Sequence, residues 1–236
     1  MEPVHMLNKL SQVFDQIAVI ARLPVAPLQF RLALNPENIE KVYKIYTKAH
    51  PKYKIVQHKS VGAALVDLTR FRNRDEYMGE FKGRNSATSH ARKAKAKGYT
   101  VIEIDRNDFI DDIYEINTSL EVRQGRRMDA SYSEKTTSYR SEANYKYYGV
   151  LNAEGKLVAY GELGFYGNFA AFSRVIGLRN NDGIMHLMVS EIICQLIEAG
   201  GYQYLMYDTY FGASPGLKNF KKMLGFQPYR AKYSIQ

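Results

Sequence analysis

Residues 183–226, GIMHLMVSEIICQLIEAGGYQYLMYDTYFGASPGLKNFKKMLGF, decide the reading of the whole chain. Ile184, Leu187, Met188, Ile192 and Leu196 recur at helical spacing, and Gly200 and Gly201 stop that helix at its C-terminal side. Tyr204 to Tyr207 is a short apolar run of strand length, bounded by polar and Gly/Pro signals. Asp208 follows where the strand ends, the place where open α/β sheets collect ligands and catalytic groups. Gly212, Pro215 and Gly216 then mark a loop, and a basic helix carries Lys218, Lys221 and Lys222.

The chain has 236 residues, enough for one well-cored domain or one domain with an appendage. A hydrophobic content of 45% with mixed helix and strand patterning points to an ordinary globular protein. The one cysteine, Cys194, excludes a disulfide framework within the chain and leaves no cysteine set for zinc. It fits a reducing compartment, so the expected location is cytoplasmic. No apolar span is long enough for a transmembrane helix, and Asp15 and Arg22 interrupt the N-terminal apolar stretch, which excludes a signal peptide. The five histidines lack H-x-x-x-H spacing, so no metal site is expected.

The net charge is +9 and unevenly spread. Between Arg70 and Lys97 stand nine Lys or Arg against Asp75, Glu76 and Glu80. Such a patch is either the footprint of a polyanion partner or a solvated helix face.

Outward from the deciding stretch, residues 7–21 carry apolar positions at helical spacing, with Pro24 and Pro27 ending that helix. Asn35 and Pro36 open a second helix over 36–49. Residues 1–50 are thus expected as a helical segment packed on a main domain that spans 51–236. YKIVQHKS and VGAALVDL read as strands between 53 and 68, and residues 74–82 as a short helix. Ser86 or Ser89 caps a basic helix that Gly98 ends, and TVIEI at 100–104 is a strand. A helix opens at Asp105 or Asn107, and the polar run 123–143 is a long loop. YKYYGVLN, LVAYGELGFY and FAAFSRVIG form a three-strand antiparallel meander turning at Ala153–Lys156 and at Gly167–Asn168. QPYRAKYSI closes the chain as a strand.

This order resembles the GNAT superfamily of acyltransferases, which implies an α/β (α+β) fold with a mixed, mostly antiparallel central sheet flanked by helices. VIGLRNNDGIMHLM stands where such proteins bind the acyl-CoA pyrophosphate on a helix N-terminus. Here only Gly183 remains of the usual glycine pair, and Asp182 adds a negative charge. In FKKMLGF, Lys221 replaces the tyrosine that protonates the leaving thiolate in many GNAT enzymes. Both departures resemble the Fem branch, whose G-x-x-x-FK-x-x-x-G element matches GLKNFKKMLG and whose basic helix before a strand matches YMGEFKGRNSATSHARKAKAKGYTVIEID.

The resemblance implies amide formation at an amine, with aminoacyl-tRNA as donor substrate and no permanently bound cofactor. The acceptor would be a small molecule, a peptide or a cell-wall or saccharide precursor. Lys221 matches the family's FK lysine and would stabilise the oxyanion or the leaving ribose oxygen, with Asp208 orienting the amine or taking its proton. Each residue also has a plainer reading, Lys221 as a solvated helix lysine and Asp208 as a cap on the next turn.

Arg123, Gln124, Arg126 and Arg127 around Gly125 form a candidate grip for a phosphate or carboxylate. Glu162 is a candidate base or an outward-facing strand residue, and Tyr148, Tyr210 and Lys218 are candidate substrate contacts. Arg179, Asn181 and Gly183, with Arg84, Arg92, Lys93 and Lys95 on the basic helix, are candidates for donor phosphate or nucleic-acid binding. Two other functions compete with aminoacyl transfer. One is acyl-CoA-dependent N-acylation with a divergent pyrophosphate loop; the other is non-catalytic nucleic-acid binding on a GNAT-like scaffold. The oligomeric state is left open.

Overall fold

The strand Val61–Asp67 (β2) turns Ala63 and Leu65 to one face and Ala64 and Val66 to the other, and all four are buried. A strand dry on both sides belongs inside a sheet that is covered on both sides. The computed structural model bears this out and describes residues 18–51, 54, 56–83, 86–123 and 126–236. Among them an eight-stranded sheet runs in the order β1-β10-β2-β9-β8-β7-β6-β3. Its strands are Val25–Phe30 (β1), β2, Thr100–Glu103 (β3), Tyr145–Leu151 (β6), Leu157–Phe165 (β7), Phe169–Gly177 (β8), Tyr204–Thr209 (β9) and Gln227–Ile235 (β10). Only β1/β10 and β8/β9 pair in parallel; every other neighbour is antiparallel. A separate ladder joins Val122–Arg123 (β4) to Arg126–Arg127 (β5).

Helices cover both faces. Pro36–Thr47 (α1) and Ile110–Thr118 (α4) lie on one, and Arg74–Phe81 (α2), Ala87–Ala96 (α3), Ile184–Ala199 (α5) and Pro215–Met223 (α6) lie on the other. The central helix α5 is apolar nearly all round, with Leu187, Met188, Val189, Ile192, Ile193 and Cys194 buried. Such a helix is itself core. Burial pushes the Cys194 thiol up to about 12, which leaves it an inert packing group. No helix among the described residues is long and apolar enough to cross a membrane.

Most expected elements form where the periodicity places them, including the meander β6–β7–β8 and the closing strand β10. The structure differs in three places. Pro24 and Pro27 do not simply end a helix, because VAPLQF is the strand β1, in register with β10 from Val25↔Arg230 to Phe30↔Ile235. Proline is tolerated there because β1 is the last strand of the sheet. YKIVQHKS forms turns and an isolated bridge at Gln57 rather than a strand, with residues 53 and 55 outside the described set. The run 123–143 opens with the β4/β5 ladder and contains a 3-10 turn at Ala130–Tyr132. The helix expected over 7–21 falls mostly outside the described residues.

The β7–β8 turn also latches β1. Arg31 N donates to Tyr166 O at 2.6 Å, and Asn168 Oδ1 accepts from Gln29 N at 2.8 Å. Gly167, at φ 152°, approaches so closely that a Cβ there would stand 2.2 Å from Gln29 O. Gly167→Ala should therefore destabilise the fold by about 2–3 kcal/mol through strain and displacement of the latch, read as a lower urea midpoint at unchanged slope.

Candidate active site

Strands β8 and β9 hold together through three residue pairs only, Phe169↔Tyr204, Ala170↔Leu205 and Ala171↔Met206. Directly beyond, both are bulged. On β8 the register against β7 steps from Leu163↔Phe172 to Glu162↔Arg174, leaving Ser173 as the extra residue. On β9 the register against β2 steps from Leu65↔Met206 to Ala63↔Thr209, so Tyr207 and Asp208 together face Ala64. Bulges bend a strand and raise its twist. Here two of them at the same level part the parallel strands into a V. Phe172 and Tyr207 meet at its crotch, ring centroids 5.3 Å apart.

Lys221 and Asp208 both stand at this crotch, Lys221 reaching it through the carbonyl of Thr209, the residue that follows Asp208. Asp208 has φ 53°, the only non-glycine residue at positive φ among the described residues, and such strain concentrates at functional positions. Its Oδ1 accepts from Lys59 Nζ at 2.7 Å. Lys221, on α6, is 1% exposed rather than solvated. Its Nζ donates to Thr209 O at 2.9 Å and lies 4.8 Å from the Tyr207 ring centre. Burial pulls the ammonium down to about 8, against the attraction of Asp208 and with the repulsion of Lys59. Thr209 O is its one hydrogen-bond partner among the described residues.

The V opens into a cleft of about 790 Å³. Val175, Gly177, Arg179 and Asn181 line one side, and Tyr207, Leu217 and Phe220 the other. Gly183, at φ 85°, starts α5 at the cleft, and the first turn of that helix, through His186, belongs to the lining. His186 lies there as well. Its ring stacks on His90 at 4.6 Å and meets Phe220 edge-on at 4.8 Å. Burial, with His90 beside it, pulls His186 down to about 4, and its Nε2 has no partner among the described residues. The cleft is thus lined by a neutral imidazole whose unpartnered nitrogen is itself buried. The sequence reading missed it because a lone histidine on an apolar helix face carries no spacing signal.

The remaining candidates divide. Arg179, Asn181 and Gly183 are at the cleft as expected. The basic helix α3 spends its lysines internally: Lys93 Nζ donates to Asn181 O at 2.8 Å, Lys95 pairs with Glu191 at 2.6 Å, and Lys97 pairs with Asp182. Asp182 is thereby held below the usual carboxylate range by Lys97 and Tyr99. Arg92 remains exposed, and Arg84 lies outside the described residues. Arg123 and Arg126 are paired in the β4/β5 ladder, Arg127 is exposed, and Gln124 lies outside the described residues. The foot of that ladder reaches the cleft through Leu120 and Val122.

Tyr148 is not a cleft residue. It packs in the core beneath α5, and burial pushes its hydroxyl up to about 12. Tyr210 borders a different groove, of about 720 Å³, with Arg70 and Lys222. Lys218 is half-buried on α6, its backbone N–H bonded to Ser214 O at 2.9 Å.

Glu162 is no free base. Its Oε1 accepts from Arg106 Nη1 at 2.9 Å and faces Arg174 Nη1 at 3.6 Å, while Oε2 accepts from Ser173 Oγ at 3.1 Å.

No family model and no curated protein matches the sequence. Solved structures do match. The C-terminal domain (DUF2156) of a putative lysylphosphatidylglycerol synthetase from Agrobacterium fabrum aligns at 17% identity and TM-score 0.50, over 72% of this chain and 58% of that one. FemX aligns at 12% identity and TM-score 0.50, over 83% and 66%. L-PGS from Bacillus licheniformis aligns at 16% identity and TM-score 0.46, over 73% and 60%. The chain thus spans less than two thirds of the length of these neighbours. It has the GNAT fold, in the arrangement shared with FemX.

Because Lys221 titrates at about 8 in the fold and near 10.5 when unfolded, the unfolded chain binds more protons between those values. The cost of burying its charge is complete below pH 8 and is relieved as pH rises. Lys221→Met should therefore be more stable than the parent at pH 7, and that advantage should shrink by about 1.5 kcal/mol between pH 8 and pH 9.5 in parallel urea titrations.

Proposed function

We propose that this protein is an acyltransferase that forms an amide at an amine acceptor, with aminoacyl-tRNA as its donor. The observation that carries the reading is Lys221: a buried ammonium at the crotch of the V, satisfied by one backbone carbonyl, with two N–H groups lacking partners among the described residues. Buried cations are expensive unless they are used. An oxyanion or a leaving alkoxide would complete its hydrogen bonding. The FK element and the FemX-like fold support the same chemistry.

In this mechanism the aminoacyl ester lies in the cleft and a neutral amine enters at the crotch. The amine nitrogen bonds to the ester carbon, whose oxygen takes up the negative charge. The C–O bond to the ribose then breaks as the Lys221 ammonium passes a proton to the departing oxygen, leaving the ribose hydroxyl and a neutral amine that solvent protonates again. Asp208, already paired with Lys59, takes the proton that the amine gives up. Positioning and a preorganised cation supply the rate acceleration, with no covalent enzyme intermediate. The acceptor's identity is part of this proposal only as an amine.

A second reading, acylation from an acyl-CoA, is favoured by one observation: the first turn of α5 and Arg179 line the same cleft. The two readings separate experimentally. Charged tRNA should raise the melting temperature more than uncharged tRNA, and CoA esters should leave it unchanged; the reverse pattern would select the CoA donor. Lys221→Met should cut single-turnover transfer by about 100-fold or more, as removing an oxyanion donor does elsewhere. The rate should fall on the alkaline side as pH passes about 8, where Lys221 loses its proton.

A further inference from the structure

On the face of the sheet opposite α5, the bulge in β8 creates a second polar cluster beside the crotch. Phe172 points toward α5, and the extra residue Ser173 changes the parity of the strand, so Arg174 pairs across with Glu162 on the opposite face. The cluster carries more positive than negative charge: Arg106 and Arg174 against the single carboxylate of Glu162. The two arginines are held very differently. Arg106 is 10% exposed, pairs with Glu162 at 2.9 Å, donates to Arg140 O at 2.5 Å and lies 3.8 Å from the Tyr147 ring centre. Arg174 is 30% exposed and makes only long contacts, 3.6 Å to Glu162 and 3.5 Å to Tyr160 OH, with its guanidinium 4.8 Å from the Tyr132 ring centre. Glu162 is thus satisfied by Arg106, and Arg174 retains a fork of donors. Ser173 is exposed next to it, its Oγ donating to Glu162 Oε2 at 3.1 Å and free to turn to a ligand on the solvent side.

Asp208 opens onto the same face. Its partner Lys59 lies 2.7 Å away with its Nζ 5.2 Å from the Tyr46 ring centre, and Tyr46 packs with Tyr145 on that side of the sheet. The serine–arginine pair and the Lys59–Asp208 pair therefore flank the crotch from β8 and β9.

We infer that Ser173 and Arg174 form a carboxylate subsite that holds an amine acceptor bearing its own carboxylate, such as an amino acid or a short peptide, with its nitrogen toward Asp208. Which atom attacks rests on the transferase reading; the subsite itself does not. A guanidinium fork with a neighbouring hydroxyl suits a planar carboxylate. The Glu162 carboxylate close behind disfavours a dianion such as phosphate ester, and the Tyr132 ring orients the fork from one side.

The test titrates three probes into the full chain at constant ionic strength, by calorimetry or NMR: alanyl-alanine, its C-terminal amide, and inorganic phosphate. The dipeptide should bind the parent, and the amide about tenfold more weakly, a loss worth one bidentate ion pair. Arg174→Gln should lose the preference for the free carboxylate, Arg174→Lys should recover part of it, and Ser173→Ala, which removes a hydroxyl that rests on Glu162 Oε2 in the free protein, should weaken it a few-fold. Tighter binding of phosphate than of dipeptide would overturn the inference, as would equal affinities of dipeptide and amide or an Arg174→Gln protein that binds like the parent. Lys221→Met serves as the control that separates the two proposals. It should bind the dipeptide normally. A parent protein that binds the dipeptide through Arg174 but transfers nothing from tRNA or CoA would retire the transferase reading and leave the subsite standing.

Discussion

The three-pair contact between β8 and β9 is the constraint on which the molecule depends. Parallel strands with longer matched runs would close the sheet and leave no room between them. Here the pairing is cut short by bulges on both strands at the same level, and each bulge sets a polar side chain at the break: Ser173 on one strand, Asp208 on the other. The cleft, the buried lysine at its base and the polar face beside it all follow from that interruption. Everything else, from the apolar helix α5 to the latch at Gly167, holds the two strands in the position where they part.

Electrostatics around the break is arranged by burial more than by the count of charges. The +9 of the chain suggests a broadly basic surface. Yet Lys93, Lys95 and Lys97 are engaged with Asn181, Glu191 and Asp182, and Arg74 makes a two-pronged contact with Glu191 at 2.6 and 3.2 Å. These pairs pin α3 and the 180–182 loop against α5. The charges that remain distinctive are few: Lys221, buried and weakly satisfied; Arg174, forked and loosely held; and Arg179 on the cleft wall. A charge kept from water without full pairing raises the energy of the resting fold, and binding an anion lowers it.

Much of this was legible in the sequence, and the parts that were not share a cause. Helical periodicity in 184–196, alternation in the meander and the glycines at 167 and 183 are local signals, and the corresponding elements form. The element order with FKKMLGF points to the GNAT fold and to Lys221 and Asp208, both of which stand where β8 and β9 part. What failed depended on partners distant in the chain. VAPLQF reads as a break because of Pro27 and the Pro24 just before it, and only its place as the last strand beside β10 makes it β1. Tyr148 has the look of a cleft tyrosine until β6 turns it toward α5. Glu162 reads as a lone acid because Arg106 is 56 residues away. The bulges were invisible for the same reason: a register shift belongs to a pair of strands, and neither strand encodes it alone.

The short seam has a mechanical meaning as well. The four strands β1, β10, β2 and β9 form one plate and β8, β7, β6 and β3 another, and along the sheet they are joined by three residue pairs and the Gly167–Asn168 hook. Each plate is held by longer ladders, antiparallel in the second and mixed in the first, whereas the two plates are joined to each other by this narrow seam and by α5, which packs beneath both. The two plates are therefore hinged, in the geometric sense, along one short line that ends at Ala171 and Met206, and the cleft is the wedge left beyond it.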